Sequence, residues 1–134
     1  MEAAKHSLGS RGLSSRCQVL GGDFFEAIPA GGDVYILQHV IHDWDDEHAT
    51  KILTSCHKAM RLGGKLLLME MVIPPGNKPF LGKFLDLGVL MMESGARERS
   101  ELEYRSLLSR ARFQVSRILS LLSPDSIIEA VWNP

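Results

Sequence analysis

The chain has 134 residues, of which 45% are hydrophobic and 23% charged, and its formal net charge is −1. This composition is typical of one globular domain and excludes disordered and fibrous classes. Without a basic run or a long apolar segment, neither nucleic acid nor a membrane is an expected partner. Two isolated cysteines, Cys17 and Cys56, are expected to be buried, reduced thiols of a cytoplasmic protein.

The first part of the chain carries one helix signal and two strand signals. Residues 2–12 (EAAKHSLGSRG) predict a helix that ends at its last glycine. Residues 17–25 (CQVLGGDFF) predict a short apolar strand broken by two glycines. Residues 33–41 (DVYILQHVI) are apolar almost throughout, which is typical of a strand covered on both faces of a sheet.

A second helix is expected directly after this strand. Asp43 or Asp45 can cap it, and the acidic residues that follow suit the positive N-terminal end of a helix. Its apolar positions recur at helical spacing and are expected to be buried: Ala49, Ile52, Leu53, Cys56 and Met60. The glycine pair at residues 63–64 is expected to close the helix.

The next two segments are more apolar. Residues 65–73 (KLLLMEMVI) predict a third strand, in which Glu70 interrupts an otherwise apolar run. Residues 80–94 (FLGKFLDLGVLMMES) predict a helix that is apolar on nearly all sides. We therefore expect this helix to be deeply buried or to line a pocket.

The last third predicts one helix and two closing strands. Ser100 and Glu103 form a capping-box pair for the helix ELEYRSLLSRARF. Residues 114–122 and 126–133 predict the two strands. Strands and helices thus alternate, which predicts an α/β fold whose sheet is parallel in its first part.

Residues 38–48 (QHVIHDWDDEH) place three histidines and four carboxylates directly after an apolar strand. A metal site is one interpretation. However, a strand that continued to residue 42 would point His39 and His42 to opposite faces, and no established His/Cys ligand pattern is present. An ordinary helix cap at Asp43 is a second interpretation. A general base at His42 is the third, because ligands of open α/β sheets bind beyond the carboxyl ends of the strands.

A base at His42 would gain from a carboxylate that fixes its tautomer and stabilises its charged form. Glu70 is one candidate, because a carboxylate within a buried strand needs a partner. Glu98, in GARERS, is a second candidate, although ion pairing with the neighbouring Arg97 and Arg99 at the surface is the simpler interpretation. Spacing alone does not show that the three groups converge. The residues by themselves therefore predict an α/β domain with a His–carboxylate site.

Five segments also occur, in this order, in one known family. They are GGDFFEAIP, VYILQHVIHDWDDEHATKIL, GGKLLLMEMVIP, FLDLGVLMMESGARERSELEY and SIIEA. The chain resembles the S-adenosylmethionine-dependent small-molecule O-methyltransferases of the acetylserotonin, caffeic acid and polyketide type. The likeness extends over nearly the whole chain. It implies a Rossmann-like class I methyltransferase sheet with a C-terminal antiparallel hairpin.

The resemblance implies a role for each residue of the His–carboxylate site. The family's catalytic base falls on His42, and its two flanking acidic residues fall on Glu70 and Glu98. His42 would then deprotonate a hydroxyl of a small, aromatic molecule, whose oxygen attacks the sulfonium methyl in line.

Binding residues are implied in the same way. The family's S-adenosylmethionine contacts fall on three positions: Asp23, Phe24 and Gln38. The last of these is a lysine in plant members, so a charged contact becomes neutral. The family's substrate-lining positions fall on Val89, Met92 and Glu93. Asp43 is expected to contact the substrate or only to cap the helix, and no metal ligand is expected.

Several family features have no counterpart in the chain. The N-terminal dimerisation domain, the first two sheet strands and the glycine-rich cofactor loop are missing, so residues 1–134 correspond to one partial catalytic domain. In the family's sheet order, 3-2-1-4-5-7-6, CQVLGG would then have no neighbouring strand and DVYIL would form an exposed edge, which favours association. Ala96 and Arg112 replace two family glycines, the second of which ends a helix.

Two functions remain open. The first is O-methyl transfer to a small-molecule hydroxyl, which HDW, Glu70 and Glu98 favour. The second is that of a truncated, non-catalytic relative that associates with itself or with a full-length methyltransferase through the exposed sheet edge. The missing glycine-rich loop favours the second function for the isolated chain.

Overall fold

The computed structural model describes residues 1–92 and 95–132, without the side chains of residues 89, 90 and 92. Its elements in chain order are α1 (Glu2–Ser10), β1 (Val34–Gln38), a 3-10 turn (Ile41–Asp43), α2 (Asp46–Ala59), β2 (Lys65–Ile73), α3 (Leu81–Met92), β3 (Arg99–Ser100), α4 (Glu101–Arg110), β4 (Phe113–Ser120) and β5 (Asp125–Trp132). The alternation of helices and strands confirms the predicted α/β class.

One mixed sheet organises the chain. Its strand order is β1-β2-β5-β4, and β3 pairs briefly with the end of β2. β1 and β2 are parallel, whereas β5 is antiparallel to both β2 and β4, which confirms the predicted closing hairpin. Gln38, the last residue of β1, lies opposite Met69 of β2. The chain that leaves β1 therefore passes beside Glu70, and this register positions the site described below.

Helices α2 and α4 share one apolar core with the central strands. The predicted buried positions of α2 are confirmed, since Ala49, Ile52, Leu53, Cys56 and Met60 are all buried. Burial also raises the pKa of the Cys56 thiol to about 12. Cys17, by contrast, is exposed, so the expectation that both thiols are buried is wrong for this residue.

Two of the strand expectations are wrong. Residues 17–25 form turns and irregular chain, because a strand without a neighbour leaves its backbone N–H and C=O groups unpaired. The strand predicted over 33–41 is shorter, and Val34 and Ile36 on one of its faces are 48% and 60% exposed. β1 therefore forms the expected exposed edge, but it is not covered on both faces.

Helix α3 presents apolar side chains to solvent. Phe84 is 78% exposed and Met91 is 88% exposed, with Leu81 and Leu87 also exposed. The expectation of deep burial is therefore wrong for this helix. Among the described residues, no helix combines the length and the apolar character needed to cross a membrane.

The helix ends follow the local capping signals. Asp45, rather than Asp43, caps α2, because one of its carboxylate oxygens accepts a 2.8 Å hydrogen bond from the backbone N–H of His48. The capping box of α4 is confirmed, since Glu103 accepts hydrogen bonds from the backbone N–H and the hydroxyl of Ser100 at 2.8 and 2.7 Å.

The end of α4 carries a backbone strain that a substitution can relieve. Arg112 follows the cap residue Ala111 and adopts a φ of 63°, in the left-handed region that glycine enters without a steric penalty. We expect Arg112→Gly to raise the free energy of unfolding by about 1 kcal/mol, measured by urea denaturation. Arg112→Ala is the matched control, because it removes the same charge and keeps the Cβ. Equal stabilities of the two variants would contradict the prediction.

Candidate active site

A sharp turn after β1 builds the site. His39 adopts a φ of 51°, and the 3-10 turn that follows carries His42. The backbone N–H groups of Val40 and Ile41 donate hydrogen bonds of 3.0 and 2.8 Å to Oε1 of Glu70. The buried carboxylate thus holds the backbone of the segment that presents the histidine.

His42 and Glu70 form a hydrogen-bonded pair. Nδ1 of His42 lies 2.7 Å from Oε2 of Glu70, which is fully buried, and Nε2 of His42 lies 3.2 Å from Oδ1 of Asp43. The hydrogen bond with Glu70 raises the pKa of His42 above 6.5 and outweighs the opposing effect of burial. The negative charges of Glu70, Glu98 and Asp43 act in the same direction.

The turn at His39 removes the geometric objection to a metal site, which was that His39 and His42 would point to opposite faces of a strand. Because β1 ends before this residue, His39 and His42 do not diverge, and their ring centroids lie 5.6 Å apart. One donor atom from each of His39, His42 and Glu70 lies within 4.8 Å of the others, and Nε2 of His39 lies 3.5 Å from Asp125. Both oxygens of Glu70, however, already accept hydrogen bonds. The cluster is a hydrogen-bonded pair of His42 and Glu70, with the imidazole of His39 beside it.

Glu98 is the third member of the predicted site. Its side chain is buried, and its Oε2 accepts no hydrogen bond from the described part of the chain. Burial raises the pKa of Glu98 to about 7; the charge of His42 partly offsets this rise, and those of Glu70 and Asp86 reinforce it. Glu98 and His42 act on each other's pKa, so Glu98 lies within electrostatic range of the pair formed by His42 and Glu70.

The interpretation of Glu98 as a surface partner of its two arginines is wrong. Arg97 pairs with Glu103 and Asp46, and Arg99 pairs with Asp46. Side chains of an extended segment alternate in direction, so Arg97 and Arg99 share one side while Glu98 faces the other. Arg99 is fully buried, although the charged segment GARERS predicts an exposed position.

A distinct pH dependence of stability follows from Glu98. Between about pH 4.5 and 7 the folded protein keeps a proton on Glu98 that the unfolded chain has released, so stability falls as pH rises through this window. His42 adds a loss that begins above pH 6.5, because its folded pKa is raised. We expect Glu98→Gln to remove the first loss and to stabilise the protein by about 1–3 kcal/mol at pH 8.

Urea denaturation at pH values from 5 to 8 measures this effect. Glu26→Gln is the control, because Glu26 is exposed in the loop before β1 and its substitution should leave the pH profile unchanged. A Glu98→Gln profile that runs parallel to that of the unsubstituted protein would show that Glu98 is ionised in the folded state.

Two of the three predicted cofactor residues, Asp23 and Phe24, line an open groove beside the end of β1, whereas Gln38 is not among its lining residues. Asp23, Phe24 and Leu37 are among the residues that line this groove, whose volume is about 650 Å³. Oδ1 of Asp23 accepts a 2.8 Å hydrogen bond from the backbone N–H of Phe25, and the ring of Phe24 packs edge-on against Trp44. Gln38, one residue beyond Leu37, is exposed. Phe24 is partly exposed, so it is not the buried core residue that its type alone suggests.

The predicted substrate residues are only partly described. Asp43 is half exposed and lies next to Nε2 of His42, and it does not cap α2. Val89 and Met92 belong to α3, but their side chains lie outside the described part of the chain, as does the whole of Glu93.

The fold and the site together define a class: a mixed α/β sheet with a histidine base candidate at the carboxyl end of a parallel strand. Comparisons with known proteins give the family. The family model described as O-methyltransferase domain matches residues 1–114. The chain therefore belongs to the O-methyltransferase family, and the resemblance inferred from its motifs is confirmed.

Individual relatives agree with this assignment. The phenazine O-methyltransferase PhzM of Lysobacter antibioticus is 46% identical over 96% of this chain, and the match covers 38% of that protein. The crystal structure of LaPhzM superposes with a TM-score of 0.93 at 45% identity, over 98% of this chain and 39% of that one.

A third match includes bound ligands. The crystal structure of NcsB1, an O-methyltransferase from neocarzinostatin biosynthesis, in complex with S-adenosylmethionine and 2-hydroxy-5-methyl naphthoic acid, gives a TM-score of 0.88 at 37% identity. That match covers 98% of this chain and 38% of NcsB1. The chain thus spans about two fifths of the length of the relatives that it matches.

Proposed function

We propose that this chain contributes the base and part of the cofactor site to an S-adenosylmethionine-dependent transfer of a methyl group to a small-molecule hydroxyl. The observation that carries the proposal is the contact of 2.7 Å between Nδ1 of His42 and Oε2 of the fully buried Glu70. A structural histidine needs no buried carboxylate that also holds the backbone of its own turn. A general base gains from such a carboxylate, because the hydrogen bond keeps its orientation and its tautomer.

The hydrogen bond to Glu70 selects the tautomer of His42. Nδ1 of His42 keeps its proton and donates a hydrogen bond to Glu70. Nε2 therefore carries the lone pair that takes the proton from the substrate hydroxyl. The imidazolium formed in this step is stabilised by Glu70 and by Glu98, whose charges raise the pKa of His42. A phenol, with a pKa near ~10, needs such a base at neutral pH.

Asp43 and Glu98 fit supporting roles on either side of this base. Asp43 lies 3.2 Å from Nε2 of His42, at the nitrogen proposed to take the proton, and its side chain is half exposed. Glu98, with a pKa of about 7, is protonated below neutral pH and charged above it, and only the charged form stabilises the imidazolium of His42. Val89, Met92 and Glu93 remain proposed as the acceptor-facing residues of α3.

The groove at residues 20–29 has the chemistry that S-adenosylmethionine requires. One oxygen of Asp23 is used in its own turn, which leaves the other for a ribose hydroxyl, and Phe24 offers a partly exposed ring for a base. Gln38, exposed at the end of β1, offers an uncharged contact. When bound, S-adenosylmethionine supplies the methyl group on a positively charged sulfur. The protein's part is to hold the acceptor oxygen in line with that carbon.

The proposed acceptor is an aromatic hydroxyl compound. A relative named for a phenazine and a second one solved in complex with a naphthoic acid support this class.

Calorimetric titration of the purified chain with S-adenosylmethionine and with S-adenosylhomocysteine tests the proposal. We expect binding in the micromolar range that Asp23→Ala weakens at least tenfold. Glu101→Ala, at an exposed carboxylate of α4 that does not line the groove, is the matched control. No binding at millimolar ligand would overturn the assignment of the cofactor site to this chain.

The edge of the sheet supports a second candidate function. β1 is a terminal strand of the sheet, with the exposed apolar side chains of Val34 and Ile36 on one face. Pairing with a second copy or a longer relative would cover this edge. If the titration shows no cofactor binding while sedimentation shows association that Ile36→Lys abolishes, the binding function is the better assignment.

A further inference from the structure

We propose that Arg99 is the positioning residue of the site, a buried clamp that holds the turn carrying His42 in register with Glu70. The inference rests on the proposed function, which gives His42 its role as the base. Arg99 is fully buried, and an arginine is rarely found in a protein interior unless its charge is paired.

The guanidinium group of Arg99 brackets the turn from both sides. Its Nη1 donates a 3.0 Å hydrogen bond to the carbonyl oxygen of Ile41, and its Nη2 donates a 2.7 Å hydrogen bond to that of Trp44. These two carbonyls lie immediately before His42 and immediately after Asp43. A planar group with donors at fixed angles therefore sets the separation of the two ends of the turn.

The same guanidinium ties this turn to α2. Nε and Nη2 of Arg99 donate hydrogen bonds of 3.1 and 2.9 Å to Oδ1 of Asp46, the first residue of that helix. Although burial acts to raise the pKa of Asp46, hydrogen bonds from Arg99 and Arg110 and the charge of Arg97 lower it to about 2. The anchor is therefore charged across the working pH range.

The backbone of Arg99 fixes the other half of the site. Arg99 lies opposite Val72 in the short parallel pairing of β3 with β2, two residues beyond Glu70. The backbone N–H of Arg97 also donates a 2.8 Å hydrogen bond to the carbonyl oxygen of His42. Arg99 thus contacts the strand of the carboxylate through its backbone, and the turn of the base and helix α2 through its side chain.

Shape rather than charge is the property that matters in this role. Lysine keeps the positive charge but cannot bridge two carbonyls and a carboxylate with a rigid fork. Displacement of His42 by about 1 Å would suffice to lower turnover on the order of 10²-fold. It would also lengthen the contact between Nδ1 of His42 and Glu70, which is the main cause of the raised pKa of His42.

The test compares Arg99→Lys with the matched control Arg105→Lys, whose arginine is exposed, pairs with Glu101 on its own helix and donates a 3.5 Å hydrogen bond to the carbonyl oxygen of Val115. We expect Arg99→Lys to lower kcat by about 10–10²-fold with little change in KM. NMR titration of the imidazole signals should show the pKa of His42 falling toward its ordinary value. The control should change neither quantity.

A merely structural arginine would give a different result. It would lower the melting temperature but leave the titration of His42 and the turnover of the folded fraction as in the unsubstituted protein, and that outcome overturns the proposal. If Arg99→Lys does not fold, Asp46→Asn weakens the same anchor and is judged by the same two readouts. The titration needs neither cofactor nor acceptor, so it tests the clamp even if the proposed function fails.

Discussion

Replacing His42 by alanine is expected to slow methyl transfer by about 10²–10⁴-fold, the range found when a general base is removed. The physical reason is that Nε2 of His42 is the proposed proton acceptor, which the hydrogen bond between Nδ1 and Glu70 keeps in place. Without it, a phenol with a pKa of ~10 is almost wholly protonated at pH 7. Binding of S-adenosylmethionine should change little, because the cofactor groove lies at residues 20–29.

The measurement is single-turnover methyl transfer, followed by transfer of a labelled methyl group in whichever assembly of the chain is active. His48→Ala is the matched control, because His48 is also paired with a carboxylate, Asp45, but lies in the first turn of α2 and is half exposed. Retention of more than about a tenth of the activity in His42→Ala would remove His42 from the role of base. Recovery of the activity of His42→Ala at alkaline pH would support the role, because the phenolate then forms without a general base.

Replacing Glu70 by alanine is expected to lower the free energy of unfolding by about 2–4 kcal/mol, the largest stability effect that we predict for the site. Oε1 of Glu70 accepts hydrogen bonds from the backbone N–H groups of Val40 and Ile41, and Oε2 accepts one from His42. Removing the carboxylate leaves buried donors without an acceptor, at roughly 1–3 kcal/mol for each one.

Glu70→Gln separates this structural role from the electrostatic one. The amide oxygen can still accept the two backbone hydrogen bonds, so we expect a loss of stability below about 1.5 kcal/mol. The charge that raises the pKa of His42 is gone, however, and burial then lowers that pKa. Urea denaturation and NMR titration of the imidazole distinguish the two variants. An unchanged pKa of His42 in Glu70→Gln would show that the carboxylate serves only the backbone.

Local signals predict the elements well where neighbours along the chain determine them. The capping box of Ser100 and Glu103 forms as predicted. The apolar residues of α2 that recur at helical spacing lie on its buried face. Residues 17–25 have the composition of a strand but do not form one. Whether a strand forms depends on a neighbouring strand, and composition carries no information about that neighbour.

For the site, the sequence identifies the participants better than their contacts. A carboxylate in the middle of an apolar strand requires a partner, and this rule singles out Glu70 from the sequence alone. The arginines on either side of Glu98 look alike in sequence, yet Arg97 is partly exposed and Arg99 is fully buried. No local property distinguishes them, because their burial depends on Asp46 and on carbonyls more than 50 residues away.

By itself the sequence determined the α/β class, the family and the groups able to do the chemistry, because periodicity, capping and motif order are properties of short segments. Only the tertiary structure decided that His39 turns back toward His42, that Glu70 holds the turn as well as the imidazole, and that Arg99 lies behind them. The contacts of Glu70 and Arg99 with the turn join residues about 30 to 60 positions apart. The register of β1 against β2 and the packing of the buried guanidinium set their geometry, and neither is encoded in any single segment.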